Sequence, residues 1–169
     1  AAREAERYVA HWPQPGLVAR DPARATRIET LAYFGRLARL PRWLRSAEFS
    51  RRLGALGVEL RLSESAWNDY HDVDLAIAAR AEGASMLELK PATKLTNAWL
   101  AGVPALLGDE PAFRRLRRDP LDYLAIAGAD EVIDSIARLK ADPATYRAMV
   151  GNGAERGAEF TRDAVTRRW

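Results

Sequence analysis

Residues 90–108, KPATKLTNAWLAGVPALLG, decide the fold of this 169-residue chain. Pro91 fits just ahead of a helix, because proline lacks the N–H that an interior helical position needs. Thr93–Ala101 is predicted to be that helix, and the apolar run Val103–Leu107 directly after it is predicted to be a strand. A short apolar strand beside a helix is typical of a parallel sheet whose strands are buried on both faces.

Four more apolar runs of strand length occur along the chain, and helical segments separate most of them. The strands are predicted at Ile28–Phe34, Val58–Leu62, Leu75–Ala79 and Tyr123–Ile126. The alternation of strands with helices predicts an α/β fold with a doubly wound parallel sheet flanked by helices. The other helices are predicted at Ala47–Leu56, Pro111–Arg118, Ala129–Lys140, Pro143–Val150 and Ala154–Phe160.

The length predicts one domain with a short N-terminal extension. Residues 1–16 are predicted to form a helix over positions 1–10 and then a proline-containing linker, which leaves residues 17–169 as the domain. The chain starts at Ala1 rather than at a methionine and has no apolar signal segment, so we expect it to be part of a longer protein. Gly151, Gly153 and Gly157 follow a predicted helix and are interpreted as helix breaks.

The composition excludes several classes of site. The chain has no cysteine and no apolar run near the roughly 20 residues that span a bilayer, so disulfides, thiolate metal sites and a spanning helix are excluded. The net charge of +3 is spread along the chain and requires no nucleic-acid partner. The cluster of Asp69, His71, Asp72 and Asp74 offers a conceivable metal site. Hydrogen bonding of Asp72 or Asp74 to the backbone is the commoner arrangement, and we assign no metal.

The ligand site is expected beyond the carboxyl ends of the strands, where doubly wound sheets bind their ligands. Gly35 and Arg36 follow the first predicted strand, Arg80 follows the third, and Glu110 lies just after the fourth. The phosphate-binding patterns G-x-G-x-x-G and G-x-x-x-x-G-K-[ST] are absent from the sequence. Strand ends, rather than a glycine-rich loop, therefore define the predicted crevice.

Two of the three lysines, Lys90 and Lys94, flank the first turn of the predicted helix Thr93–Ala101. The N–H groups at a helix N-terminus attract anions, and the Thr93 hydroxyl is predicted to cap this helix. Asn97 lies three residues after Lys94, on a neighbouring surface from which it can hydrogen-bond a sugar hydroxyl. In the alternative interpretation, which the residues leave open, both lysines are solvated and the helix only packs on the sheet.

The same segment resembles the donor-binding helix and following strand of GT-B glycosyltransferases, in which a helix ending in Ala-x-Gly-x-Pro leads into a strand. The resemblance extends to Tyr33–Arg36, which is similar to the opening of the C-terminal domain in that class. It also includes Asp72–Leu75, similar to the approach to a later strand, and the closing stretch from Leu139 to Phe160. It implies a Rossmann-like, nucleotide-sugar-binding domain over residues 17–169, a single lobe of the GT-B architecture.

This resemblance implies a transferase whose substrate is a nucleotide-diphosphate sugar, without a cofactor or a metal. Lys90 and Lys94 would act in catalysis by stabilising the charge on the departing diphosphate. Many retaining members carry glutamates where this chain has Lys90 and Asn97, so the donor and the stereochemical outcome stay open. The donor-binding residues that the resemblance implies are Gly35, Arg36, Arg80, Thr93, Asn97 and Glu110.

The resemblance also implies a partner lobe, because the acceptor-binding half of such enzymes lies N-terminal to this one. It is expected in cis or in trans, with a glycan, lipid or protein acceptor. A cytoplasmic location is expected, and the arginines at 114, 115, 117 and 118 offer a peripheral contact with the inner membrane, although a solvated helix face is the safer interpretation. The alternative functions are a non-catalytic nucleotide- or phosphate-binding module, such as one subunit of a split enzyme, and a basic interaction domain.

Overall fold

The computed structural model describes residues 10–80, 87 and 90–169, and this part of the chain contains a sheet of five parallel strands. The sheet order is β2-β1-β3-β4-β5, so the chain moves outward from β1 to β2 and then crosses back to β3. The strands are β1 Thr30–Phe34, β2 Glu59–Ser63, β3 Leu75–Ala78, β4 Ala105–Leu107 and β5 Leu124–Ala125. The strand order reverses between β1 and β3, which is where ligands bind in open α/β sheets.

Six α-helices of the described residues flank the sheet: α1 Ala47–Ala55, α2 Thr93–Ala101, α3 Pro111–Leu116, α4 Ala129–Ala141, α5 Pro143–Ala158 and α6 Arg162–Thr166. Short 3-10 turns occur at Pro22–Arg24, Leu37–Arg39, Arg42–Arg45 and Pro120–Asp122. The predicted α/β fold, Rossmann-like with helices around a parallel sheet, is confirmed. The helix predicted over residues 1–10 falls, except for Ala10, outside the described residues.

Both faces of the sheet are covered, as expected for a doubly wound arrangement. Successive residues of β1 point to opposite sides, so that Tyr33 joins the apolar cluster around Phe49 and Ile136. Phe34 joins the other cluster, which contains Trp99 of α2. The apolar runs that form β1, β3 and β4 therefore arise from strands that are buried on both faces rather than on one.

The end of the chain differs from the prediction. One continuous helix, α5, replaces the two predicted helices, and the interpretation of Gly151, Gly153 and Gly157 as helix breaks is wrong. A Cβ atom at Gly157 would lie 3.3 Å from backbone atoms of Trp99 and Leu100, and one at Gly153 would lie 3.3 Å from the Trp99 ring. These two glycines let α5 lie directly on α2.

Two buried carboxylates fix the segments around the sheet. Asp74, whose side chain is fully buried, accepts hydrogen bonds from the Arg20 and Arg24 guanidinium groups and from the backbone N–H groups of Glu29 and Thr30. Hydrogen bonding of this cluster to the backbone is thus confirmed for Asp74. The contacts join the segment before β1 to the start of β3.

Asp122 plays the corresponding part beneath α2. Its side chain accepts hydrogen bonds from Arg156 and Asn152 of α5, and its backbone oxygen accepts one from the Trp99 indole at 2.9 Å. Arg156 also lies over the Trp99 ring, 4.8 Å from its centroid. Helix α2 is therefore fixed along its length by α5 and by the turn before β5.

Candidate functional site

A cavity of about 470 Å³ opens at the carboxyl edge of the sheet, where β1 and β3 end and α2 begins. Seven of the eight residues proposed from the sequence line it, and only Glu110 does not. They are Gly35, Arg36, Arg80, Lys90, Thr93, Lys94 and Asn97. The fold thus brings residues that lie more than 60 positions apart in the sequence into one space.

Gly35 lines the cavity directly after the end of β1. Its backbone has a φ of +150°, which side-chain-bearing residues rarely adopt, and its N–H donates a hydrogen bond to the Ser63 carbonyl at 2.9 Å. A Cβ atom here would lie 3.1 Å from Lys94 Nζ and 3.0 Å from Tyr33 Oη. The absence of a side chain therefore makes room for the Lys94 ammonium group.

The Lys94 ammonium group lies over the Tyr33 ring, 4.0 Å from its centroid. Tyr33 is buried, and its hydroxyl donates a long hydrogen bond of 3.4 Å to the Arg36 carbonyl. The ring face attracts a cation, so the lysine is held at the cavity wall by an electrostatic contact with a rigid neighbour. Tyr33 was not proposed from the sequence, in which it is one of several apolar strand residues.

Helix α2 begins one residue earlier than the capping prediction requires. Ala92 occupies the N-cap position and Thr93 is the first helical residue, so the prediction that the Thr93 hydroxyl caps the helix is wrong. The Ala92 carbonyl accepts hydrogen bonds from the Leu95 and Thr96 N–H groups instead. Because alanine has no side-chain oxygen, the N-cap residue leaves the first N–H groups of the helix for other acceptors.

Asn97 connects α2 to the loop at residues 11–16. Its Oδ1 accepts a hydrogen bond from the Gln14 N–H at 3.1 Å, and its side chain is almost fully buried. Burial raises the pKa of the neighbouring Tyr70 hydroxyl, while a hydrogen bond with Asn97 opposes that rise. Asn97 thus positions Gln14 and Tyr70 at the cavity wall, in addition to lining the cavity itself.

Arg80 enters the cavity from the end of β3 with most of its side chain buried. Its Nε lies 3.1 Å from Glu110 Oε1, and the Glu110 carboxylate is only 2% exposed. Glu110 does not line the large cavity but borders a smaller one of about 280 Å³, which Arg80 also lines. The structure therefore places Glu110 behind Arg80 and not beside the predicted ligand position.

Sequence reasoning missed several residues of the cavity wall, chiefly aromatic ones. Trp67, on the loop after β2, is 37% exposed and lines the cavity, as do Tyr70, Gln14 and Arg39. The rule that selects strand ends indicates the loop after β2, and it is the signal that points to Trp67. Gln14 and Tyr70 have no such signal, because long-range packing alone brings them to the site.

Cationic side chains at a helix N-terminus, next to the exposed Trp67 ring and the amides of Gln14 and Asn97, suit an anionic ligand with a planar or sugar-like part. Within residues 10–80, 87 and 90–169, no group of three or more acidic or histidine side chains is arranged to hold a metal ion. Over the same ranges, no helix is both long and apolar enough to cross a membrane.

Comparison with known proteins gives a likeness of fold. No protein-family model and no curated protein matches the sequence. Among solved structures, the crystal structure of the GtfA/B complex, a glycosyltransferase, contains a chain similar to this one, with a TM-score of 0.56 and 14% sequence identity. The match covers 95% of this chain and 37% of the other chain. The chain therefore has a glycosyltransferase-like Rossmann-type fold and spans little more than a third of that neighbour's length.

Proposed function

We propose that this chain is the C-terminal, donor-binding lobe of a GT-B glycosyltransferase and binds a nucleotide-diphosphate sugar in the 470 Å³ cavity. One observation carries the proposal: Lys90, Lys94 and the first turn of α2 converge on the carboxyl edge of the sheet at its switch point. The glycosyltransferase-like fold of the GtfA/B neighbour supports it.

In this proposal the diphosphate lies against the N-terminus of α2. Lys90 and Lys94 neutralise it, and because the charge on the departing nucleotide grows in the transition state, the same ammonium groups speed the transfer. Gly35 lets the phosphates approach the backbone, and Arg36 and Arg80 add cationic contacts. No carboxylate stands at position 90 or 97, so the Asn97 amide rather than an acid meets the sugar from α2.

The transfer also needs an acceptor-binding lobe. The likeness covers 37% of a chain whose crystal structure is described as a complex, which favours a further lobe or subunit as the partner of this one. We expect the acceptor to be a glycan, lipid or protein, and the transfer to take place in the cytoplasm.

The arginines around α3 are less available for a contact with membrane lipids than the sequence alone suggests. Arg114 pairs with Asp109, Arg118 pairs with Glu159, and Arg117 lies 4.6 Å from the centroid of the Tyr123 ring. Three of the four cations are therefore engaged within the chain. This favours a solvated, structural role over a lipid contact.

The proposal is tested by calorimetric titration of the chain with uridine and guanosine diphosphates and their sugars. We expect one of them to bind, and Lys94→Ala to weaken that binding by about tenfold or more, since a partly buried charge-assisted contact is lost. Arg115→Ala, which removes an exposed cation away from the cavity, is the control and is expected to bind normally.

Two outcomes would contradict the proposal. If no nucleotide or nucleotide sugar binds, the cavity is not a donor site. If a nucleotide binds but no transfer occurs when the upstream lobe is supplied, the chain is a non-catalytic binding module.

A further inference from the structure

The Glu110 carboxylate is buried for a reason that helix capping does not supply. Glu110 is the N-cap residue of α3, and its backbone carbonyl accepts hydrogen bonds from the N–H groups of Phe113 and Arg114. Its side chain makes no capping hydrogen bond and is 2% exposed. Because burying a carboxylate without a compensating partner costs several kcal/mol, its position points to the partner that it faces.

Among the described residues Arg80 forms an ion pair with Glu110, and the sheet brings the two together. Strands β3 and β4 pair in parallel with Ala78 opposite Leu107, and the Gly108 N–H donates to the Ala78 carbonyl at 2.8 Å. Arg80 and Glu110 follow these strand ends by two and three residues, so they emerge side by side. The result is the 3.1 Å contact between Arg80 Nε and Glu110 Oε1.

Arg80 stands between the two cavities, since it lines both the one of about 470 Å³ and the one of about 280 Å³. Glu110 lines only the smaller. A guanidinium group is planar and carries five N–H donors in a fixed arrangement, so an ion pair with a carboxylate 3.1 Å from its Nε restricts where the terminal nitrogens lie. The carboxylate thus acts on the large cavity through the orientation of Arg80.

We propose that Glu110 is a positioning residue: its buried carboxylate orients the Arg80 guanidinium so that Arg80 binds a phosphate group of the ligand. This inference rests on the proposed function, because it takes the large cavity to be a phosphate site. It replaces the expectation of a direct contact between Glu110 and the donor sugar or acceptor.

The test is a double-mutant cycle on ligand affinity, with inorganic pyrophosphate and uridine diphosphate as probes. Glu110→Gln keeps the shape and removes the charge, and we expect it to weaken both probes by about fivefold to tenfold. In the Arg80→Ala background the same change is expected to alter affinity by less than about twofold, since the group through which it acts is gone. Asp109→Asn is the matched control, because Asp109 is the adjacent, exposed carboxylate and pairs with Arg114.

A merely structural role would give a different pattern. It would lower the free energy of unfolding, measured by urea denaturation, and would weaken binding equally with and without Arg80; that additive result would overturn the inference. If Glu110→Gln does not fold, Arg80→Lys is tested instead. Lysine keeps the positive charge but has no planar guanidinium group for the carboxylate to orient. Arg80→Lys with wild-type affinity for pyrophosphate would contradict the inference too.

The two proposals fail in different ways. Binding of pyrophosphate without binding of any nucleotide or nucleotide sugar defeats the proposed function but leaves the Glu110–Arg80 coupling measurable. Binding of a nucleotide sugar that Glu110→Gln leaves unchanged defeats the inference alone. If the wild-type chain binds neither pyrophosphate nor any of the nucleotides and nucleotide sugars, both are wrong.

Discussion

At the scale of single residues, Gly35 is the position where the backbone and the site constrain each other most. Gly35→Ala adds a Cβ within 3.1 Å of Lys94 Nζ and keeps a φ of +150° that alanine resists. We expect a loss of roughly 1–3 kcal/mol in the free energy of unfolding and about a tenfold loss in diphosphate affinity. Urea denaturation and calorimetry measure the two.

The control for this substitution is Gly54→Ala in α1. A Cβ there meets nothing within 4 Å, and alanine is the better helix former, so we expect a gain of up to about 1 kcal/mol in the free energy of unfolding and unchanged binding. Equal effects of the two substitutions would show that Gly35 has no special role in placing Lys94.

Asp74 predicts how stability depends on pH. Burial alone raises the pKa of its carboxyl group, but hydrogen bonds from Arg24, Arg20 and the Glu29 and Thr30 N–H groups outweigh this and hold the pKa below its ordinary value. A carboxyl with a lowered folded-state pKa stabilises the fold above its unfolded pKa of about 4 and loses that contribution as the pH falls. We therefore expect acid denaturation to begin near and below that pH.

Asp74→Asn tests this directly. Asparagine places an N–H₂ group among hydrogen-bond donors and leaves two guanidinium groups without their carboxylate. We therefore expect it to lower the free energy of unfolding by about 3 kcal/mol or more at neutral pH. The variant should also show a flatter dependence of the free energy of unfolding on pH below about 4. Asp72→Asn, two residues away on the surface and paired with Arg61, is expected to change stability by less than about 1 kcal/mol. An equally pH-dependent Asp74→Asn would contradict the assignment.

At the scale of elements, the contact between α2 and α5 links stability to the site. Gly157→Ala pushes a Cβ to 3.3 Å from the backbone of Trp99 and Leu100, whereas Gly151→Ala, in the same helix, meets nothing within 4 Å. We expect the first to lower the free energy of unfolding by about 1–3 kcal/mol and the second to raise it by up to about 1 kcal/mol. Urea denaturation separates them, and a stable Gly157→Ala would mean that α2 can shift without cost.

The same pair of helices shows what sequence reasoning can and cannot reach. Helix α2 was predicted with its observed bounds because proline, the apolar run and the following strand all act locally. For α5 the sequence predicts two helices, because glycine usually breaks a helix. The reason that Gly153 and Gly157 lie within one helix is their contact with Trp99 and Leu100, which are far away in the sequence.

The candidate site divides along the same line. Strand ends and the start of α2 were sufficient to select Gly35, Arg80 and Lys94, because the topology fixes where those positions meet. Three other contacts depend on side-chain packing between separate elements. They are the stacking of Lys94 on Tyr33, the hydrogen bond from Gln14 to Asn97, and the ion pair that places Glu110 behind Arg80. No local pattern encodes these contacts.

At the scale of the whole molecule, the question is whether the general positive charge or the local site attracts an anion. The chain has a net charge of only +3, whereas arginines 36, 39 and 80 and lysines 90 and 94 all line one cavity. Screening weakens exposed charges more than partly buried ones. Between about 50 mM and about 500 mM sodium chloride, we therefore expect the affinity for pyrophosphate to fall several-fold without vanishing.

In Lys94→Ala the salt dependence of pyrophosphate affinity should be shallower, because one of the contributing charges is gone, whereas Arg115→Ala should keep the wild-type slope. Equal slopes in all three proteins would mean that the anion responds to the overall charge and not to the cavity.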